Sequence, residues 1–431
     1  MSKRYLLLPV IAILSLSACS KNSSSSSQPV ETPPQLAKGQ LNQPNKVFNR
    51  DDTRASSVPY INSINSLSKS FYNQVYEGKN LVFSPVSIAT CYSMLYEGAD
   101  NNSKEQLKEF LHYDDSFDYL SEIKNMLLRN AIDDPENKIY LDLAQSFWVD
   151  DDFADHIYQN YIDKLTNDYY AEAFQGKLES DEMHQALADY INEKTNNFLD
   201  MKADDFAEYK GVLWLLNTIY LKSAWQYEFK EDLNYTAKFT NLDQSKNNQT
   251  FMQQEIESYY LERDNYAIAS IPFTHGLRFN IMLPNNNSDY SKYLTDEAVI
   301  DDLYSFPLSK EKGMTNIKFF MPKFKLRSAF DLKTILPNLG LVDVFNPNLS
   351  DLTRIGSSRE SLYVSRSKHE AGIEVNNEGA EAAAYTIIEV STKATSTESS
   401  STVNFNIDHP FTYSISNRDG LTLFTGVVTN L

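Results

Sequence analysis

The sequence predicts an α+β fold built as one large domain, and three observations carry that prediction. Apolar residues at helical spacing dominate roughly the first 200 positions, and strand-like runs dominate the rest. The 27 Tyr and 24 Phe favour sheet over a helical bundle. The run VLWLLNTIYLK, residues 212–222, is almost wholly apolar, as a strand covered on both faces must be. With 431 residues and 42% hydrophobic content, the chain can fill a large core. A net charge of -19 argues against nucleic acid as a partner, because phosphate backbones are gripped by Lys and Arg.

The first residues, MSKRYLLLPVIAILSLSACS, join a basic start (Lys3, Arg4) to an apolar run from Tyr5 to Leu16 and then small residues. This reads as an export leader over residues 1–18, too short for a stable membrane span. Leu16-Ser17-Ala18-Cys19 resembles the bacterial lipobox, which implies cleavage before Cys19 and acylation of its thiol. Two or three acyl chains would hold the protein firmly to a membrane, so the expectation is a cell-envelope lipoprotein of the outer membrane or cell surface. Residues 19–48, rich in Ser and Pro, form a solvated tether, and the globular part occupies residues 49–431. If Cys19 carries lipid, Cys91 has no disulfide partner; in SPVSIATCYSMLYEG it reads as a buried small hydrophobe.

Ile61, Ile64, Leu67, Phe71 and Val75 give an amphipathic helix. Residues 80–97 read as a short strand, a turn at Ser84-Pro85 and a helix. Ile139, Leu141 and Leu143 alternate into a strand that runs on to Val149. Residues 266–284 and 314–326 add strand-like runs, and the last 30 residues alternate through Val403, Phe405, Ile407, FTYSIS and LTLFTGVV. There is no internal repeat.

Several chemistries are missing from the local sequence. There is no nucleophile elbow G-x-S-x-G, no phosphate-binding G-x-x-x-x-G-K-[ST] and no G-x-G-x-x-G. HEAGI, from His369, lacks the second histidine of a zinc helix. Asp150, Asp151, Asp152 and Asp155 read as a solvated acidic turn, without the glycine and closing glutamate of a calcium loop. No cofactor and no metal are called for.

Five blocks in order carry a resemblance: NLVFSPVSIATCYSMLYEG (80–98), LLNTIYLKSAW (215–225), IKFFMPKFKLRSAFDLKTILPNLGLVDVF (317–345), EAGIEVNNEGAEAAAYT (370–386) and HPFTYSISNRDGLTLFTGVV (409–428). They resemble the serpins, a family of serine protease inhibitors, across roughly residues 55 to 431. The resemblance implies helices packed around a large mixed central sheet with smaller sheets, and an exposed reactive-centre loop at about 378–402. It also implies a mechanism: a protease attacks the loop, an acyl-enzyme forms, and the cut loop enters the large sheet as a new strand, distorting the tethered protease.

The loop's residues permit this. A central strand excludes proline, and residues 378–402 contain none. Counting alternately from Ala380 gives Ala380, Ala382, Ala384, Thr386 and Ile388, small and uncharged until the last, a set fit to point inward. Glu381, Ala383, Tyr385, Ile387 and Glu389 would point outward; Tyr385 departs from the family's small residue and predicts slower insertion. Gly379 supplies a flexible hinge. An uncharged Ala380 favours an inhibitor over a non-inhibitory member acting as a binding protein or simple substrate, because a charge there would be buried unpaired. In the family the hinge glycine lies fourteen residues before the residue that enters the protease's primary pocket, which here is Lys393. The reactive bond is then Lys393-Ala394, suited to the acidic pocket of trypsin-like proteases. Frame shifts to Thr392, Ala394 or Thr395 would suit elastase-like enzymes, and some relatives trap cysteine proteases.

The resemblance also assigns supporting positions. Ser84, Ser87, Asn217 and His369 match the polar shutter beneath the opening sheet, and Trp225 matches the aromatic at the breach where the loop enters. Lys323 matches a lysine that meets a glutamate at the loop base, but Asn377 stands there, predicting a weaker hold. The reading is an inhibitor rather than an enzyme, monomeric, with serine proteases and a membrane as partners. A lipoprotein hydrolase is the rival from another class, and turnover of small esters or peptides would reveal it.

Overall fold

The computed structural model describes residues 8–17, 54–134, 139–285, 289–358, 361–379 and 402–431. Its first element is a strand, β1 (Leu8–Ser17), and helix α1 (Val58–Val75) follows. Ser57 caps α1 by accepting the Tyr60 amide, Pro59 sits in the first turn, and Ile61, Ile64, Leu67 and Phe71 are buried as their spacing requires. β2 (Leu81–Phe83) leads through Ser84 into α2 (Pro85–Gly98), whose residues are nearly all buried. Short amphipathic helices α3 (Asn101–Phe110) and α4 (Tyr119–Arg129) come next.

One sheet runs in the order β12 (Phe324–Asp331), β13 (Tyr363–Val375), β1, β6 (Leu213–Lys222), β4 (Ile139–Asp150), β3 (Ile132–Asp134), with β5 (Glu172–Gly176) also on β4. β6 is buried along its whole length, as the apolar run predicts. Its alternate residues serve two cores. Leu213 and Leu215 join the main core with α1 and α2, while Trp214 and Leu216 pack with Met183, Leu187 and Ile191 of α6 (Asp181–Lys194). α5 (Gln159–Asp168) lies between β4 and β5 in the chain.

The second sheet runs β14 (Val403–Asn406), β11 (Gly313–Pro322), β8 (Lys246–Glu262), β9 (Tyr266–Pro272), β10 (Arg278–Pro284), β15 (Phe411–Ser416), β16 (Thr422–Val428), β2, with β7 (Tyr235–Thr240) also on β8. The strand-like run at 314–326 proves to be parts of two strands in different sheets: β11 ends at Pro322, Lys323 makes the crossing, and β12 begins at Phe324. Polar β8 escapes periodicity because its first residues, KNNQT, are largely exposed and held by backbone pairing to β7.

The largest difference from the sequence reading concerns the apolar run read there as an export leader. Leu8–Ser17 is a central strand, paired with β13 on one side and β6 on the other. An uncharged apolar decapeptide meets the demands of a doubly covered strand as well as those of a leader's core, so composition does not separate the two. Pro9 fits because β13 begins pairing only at Val10, leaving the proline bonded on one edge. No helix among the described residues is long and apolar enough to cross a membrane.

Candidate functional site

The candidate site centres on the channel between β6 and β13. β1 is antiparallel to both, so β6 and β13 run parallel to each other and the channel admits one strand. In that channel Val10 faces Ala371 and Ile219, Ala12 faces His369 and Asn217, and Leu14 faces Ser367 and Leu215. Leu14 and Leu16 enter the main core, fully buried. Between them Ser15 is also buried; its hydroxyl meets the Ser365 hydroxyl at 3.2 Å and donates to the Arg366 carbonyl at 3.1 Å.

Beneath the channel lies a polar cluster formed by Ser84, Ser87, Asn217 and His369. Ser84 caps α2, accepting the Ser87 amide at 3.1 Å, and the Ser84 amide donates to His369 Nε2 at 3.1 Å. The His369 ring lies 6.2 Å from Phe330, nearly parallel to it. Ser84, Ser87, Asn217 and His369 are all completely buried. β1 stands between Asn217 and His369, and among the described residues both ends of the Asn217 carboxamide and the Ser87 hydroxyl have no hydrogen-bond partner. Gln145, facing Asn217 from β4, is in the same condition. Each such group left unsatisfied costs about 1–3 kcal/mol. Gln145 is an addition that the sequence did not signal, since a lone Gln in an apolar run has no distinguishing neighbour.

Cys91 lies under the same channel, its thiol directed at the Leu215 carbonyl at 3.7 Å. Burial pushes that thiol far above the ordinary cysteine range, against backbone hydrogen bonds from Leu14 and Asn217 that pull it down. It is a packed hydrophobe, not a nucleophile.

At the upper end, the chain leaves β13 and reverses through Asn376–Gly379, with Gly379 bridging back to Asn376. Trp225 closes this end. Its indole N–H donates to the Asn376 carbonyl at 2.9 Å, and its ring stacks on Phe273 with centroids 4.3 Å apart. Asn377 is buried and exchanges amide hydrogen bonds of 2.9 Å with Asn234, while donating to the Phe229 carbonyl at 2.8 Å. The base of the loop is therefore held by a reciprocal amide pair, with no Lys–Glu pair at Lys323 among the described residues. Lys323 makes no ion pair among the described residues; its backbone amide bonds the Thr250 carbonyl. Asn234 gave no sequence signal, sitting in the polar stretch EDLNYT.

Gly379 is required for more than flexibility. Its φ is +81°, and a Cβ there would lie 2.3 Å from the Trp225 backbone nitrogen. Gly379→Ala is expected to destabilise the protein by at least about 2 kcal/mol, from left-handed strain and this clash together. Urea denaturation measures it, and an unchanged midpoint would show that the turn does not press on Trp225.

The other loop positions, Ala380, Ala382, Ala384, Thr386, Thr392, Lys393, Ala394 and Thr395, and the lipid candidate Cys19, lie outside the described residues. Asp150, in the acidic turn, accepts the backbone amides of Asp152 and Leu178, each at 3.0 Å, so its oxygens serve the fold.

Comparison with known proteins decides the family. The model for Serpin (serine protease inhibitor) matches residues 62–431. The chain is a serpin. Mouse neuroserpin (Mus musculus) is 28% identical over 394 residues, covering 85% of this serpin and 91% of the relative. Serpin-Z10 of Arabidopsis thaliana is 29% identical over 377 residues, covering 84% and 94%. Among solved structures, the native state of tengpin, a thermophilic serpin, superposes with a TM-score of 0.74 at 18% identity, over 93% of this chain and all (100%) of that one. The α+β architecture of helices around large mixed sheets is thus the serpin fold, and the family generally comprises inhibitors of serine proteases rather than enzymes. In this serpin the channel between β6 and β13 adjoins the loop base at Gly379, and Trp225 stands at their junction.

Proposed function

We propose that this serpin is a membrane-tethered, irreversible trap for trypsin-like serine proteases, with Lys393-Ala394 as the reactive bond. The protease's serine oxygen attacks the Lys393 carbonyl. The peptide bond to Ala394 breaks, Ala394 leaves as an amine carrying the proton passed on by the protease's base, and Lys393 stays esterified to the enzyme. Residues 380–393 then add to the large sheet, a mode of strand addition of which serpins are a standard instance.

One observation carries this reading: the sheet accepts a full strand between β6 and β13, in the direction a chain turning back at Gly379 must take. Continued in unbroken register from the Asn376–Gly379 bridge, Ala384 would face Ala371, Thr386 would face His369, and Ile388 would face Ser367. Ile388 would then take the place of Leu14, which is in the core. From Gly379 to Lys393 the strand would span roughly 50 Å, enough to carry a protease most of the way along a large domain. Acylation of Cys19, followed by the Ser- and Pro-rich tether, would place this trap on the cell envelope.

The filled channel also favours a second reading, a serpin that is cut without trapping. One experiment separates the two. Incubation with trypsin is expected to give a covalent complex stable to boiling in detergent, a released fragment beginning at Ala394, and a cleaved form that melts far above the intact one. Complete cleavage with no complex and no gain in heat stability would leave the substrate reading standing.

A further inference from the structure

We propose that Leu8–Ser17 is a plug: in the unprocessed chain it occupies the channel meant for the reactive loop, and its departure arms the inhibitor. This rests on the trapping reading above, since a plug matters only if the loop must enter.

Three observations converge. First, the occupancy is complete in depth: β1 pairs with β6 from Leu8 to Leu16 and with β13 from Val10 to Ser17. Beyond the paired strands, the Val212 amide donates to the Leu16 carbonyl at 2.7 Å. Second, the plug and the loop compete for the same places. In the register that continues from Gly379, Val10, Ala12 and Leu14 stand where Ala384, Thr386 and Ile388 would stand. The two segments run in the same direction and exclude each other residue by residue. Third, two side chains of the shutter beneath, Asn217 and Ser87, have no hydrogen-bond partner among the described residues while the plug is seated. Asn217 faces the strand at Ala12 and, among the described residues, its carboxamide bonds nothing. A strand without a matching polar group at this place is held by backbone pairing, by Leu14 and Leu16 and by the Ser15 hydroxyl, and loses nothing at the shutter when it leaves.

The plug lies ahead of Cys19 in the chain. Cleavage before that residue would remove it whole, so one event would both release the chain for anchoring and open the channel. Before it, a chain folded around its own leader would be cut by a protease without holding it.

The test compares the full-length chain with its Leu14→Asp/Leu16→Asp variant, which places two carboxylates in the core if β1 is seated and is harmless on a free tail. A second full-length variant, Ala12→Pro, attacks only the backbone pairing. Each is incubated with trypsin, and amide hydrogen exchange is followed over Leu8–Ser17. The expected result is slow exchange in the parent, free exchange in both variants, and at least about tenfold more detergent-stable complex from the variants, since a tenfold shift in occupancy needs only a modest penalty against the plug. Rapid exchange over Leu8–Ser17 in the parent overturns the plug whatever the trapping result. Equal trapping by all three chains overturns it too, while leaving the trapping function intact. If no chain traps although Leu8–Ser17 exchanges slowly, the trapping reading has failed and the segment is not an arming device. Far-UV circular dichroism identifies a variant that has lost its fold, in which case the other variant decides.

Discussion

Lys393→Ala is expected to slow inhibition of trypsin by about 10⁴-fold, because a pocket built to bind a cationic side chain discriminates strongly against one that lacks it. The reason lies in the division of labour along the loop. Residues before the reactive bond must suit the sheet, and the residue at the bond must suit the protease. Lys393 is the single basic residue between Glu378 and Thr402, so it alone in the segment can meet an acidic primary pocket. The substitution leaves the residues from Ala380 to Ile388, those proposed to enter the sheet, unchanged. Elastase-like proteases, which take small residues, are therefore expected to be trapped at least as well by the variant as by the parent. Progress curves with each protease, together with the mass of the released fragment, provide the check. Undiminished inhibition of trypsin would move the bait to another frame and sink the assignment.

Much of the fold was legible because apolar periodicity reports burial directly. α1 shows it in Ile61, Ile64, Leu67 and Phe71, and β6 shows it as a continuous run buried at every position. Ser84-Pro85 marked the start of α2 because a capping serine followed by proline is a local signal with a local cause. Other features were hidden because their cause is distant. The β11–β12 boundary falls within one apolar run, and only the departure of β12 to join β13 divides it. The contact between Ser84 and His369 joins residues 285 positions apart, so family resemblance could suggest it and spacing could not. Gly379 reads as a hinge from sequence, while its close approach to Trp225 depends on where β6 delivers that residue. Residues 8–17 show the ambiguity most clearly: the same ten residues read as an export leader or as a central strand, and what seats them is the channel formed by two strands that come more than 190 residues later.

On the proposed trapping mechanism, Thr386→Arg is expected to turn a trapping chain into a substrate, lowering the yield of covalent complex at least about tenfold while cleavage at Lys393-Ala394 continues. Trapping is a race between strand insertion and hydrolysis of the acyl-enzyme, so every 1.4 kcal/mol or so added to the insertion barrier slows insertion about tenfold. In the register that continues from Gly379, position 386 falls where Ala12 stands, between His369 and Asn217 and above Ser84 and Ser87, all four fully buried. A threonine hydroxyl there has a use, since Asn217 otherwise lacks a partner among the described residues. A guanidinium would instead be driven into a site with no carboxylate among these four shutter residues, and a buried unpaired charge costs several kcal/mol. The first residues of the loop, Ala380 to Ala384, would still enter, so insertion should stall partway, before the protease has been carried far. The readouts are the ratio of complex to cleaved product on a denaturing gel and the melting point of the cleaved chain. Both should fall together, because each reports the same completed strand. A cleaved Thr386→Arg chain that still melts far above the intact form would mean that position 386 does not pass through the shutter. The register drawn from the Asn376–Gly379 turn would then be wrong.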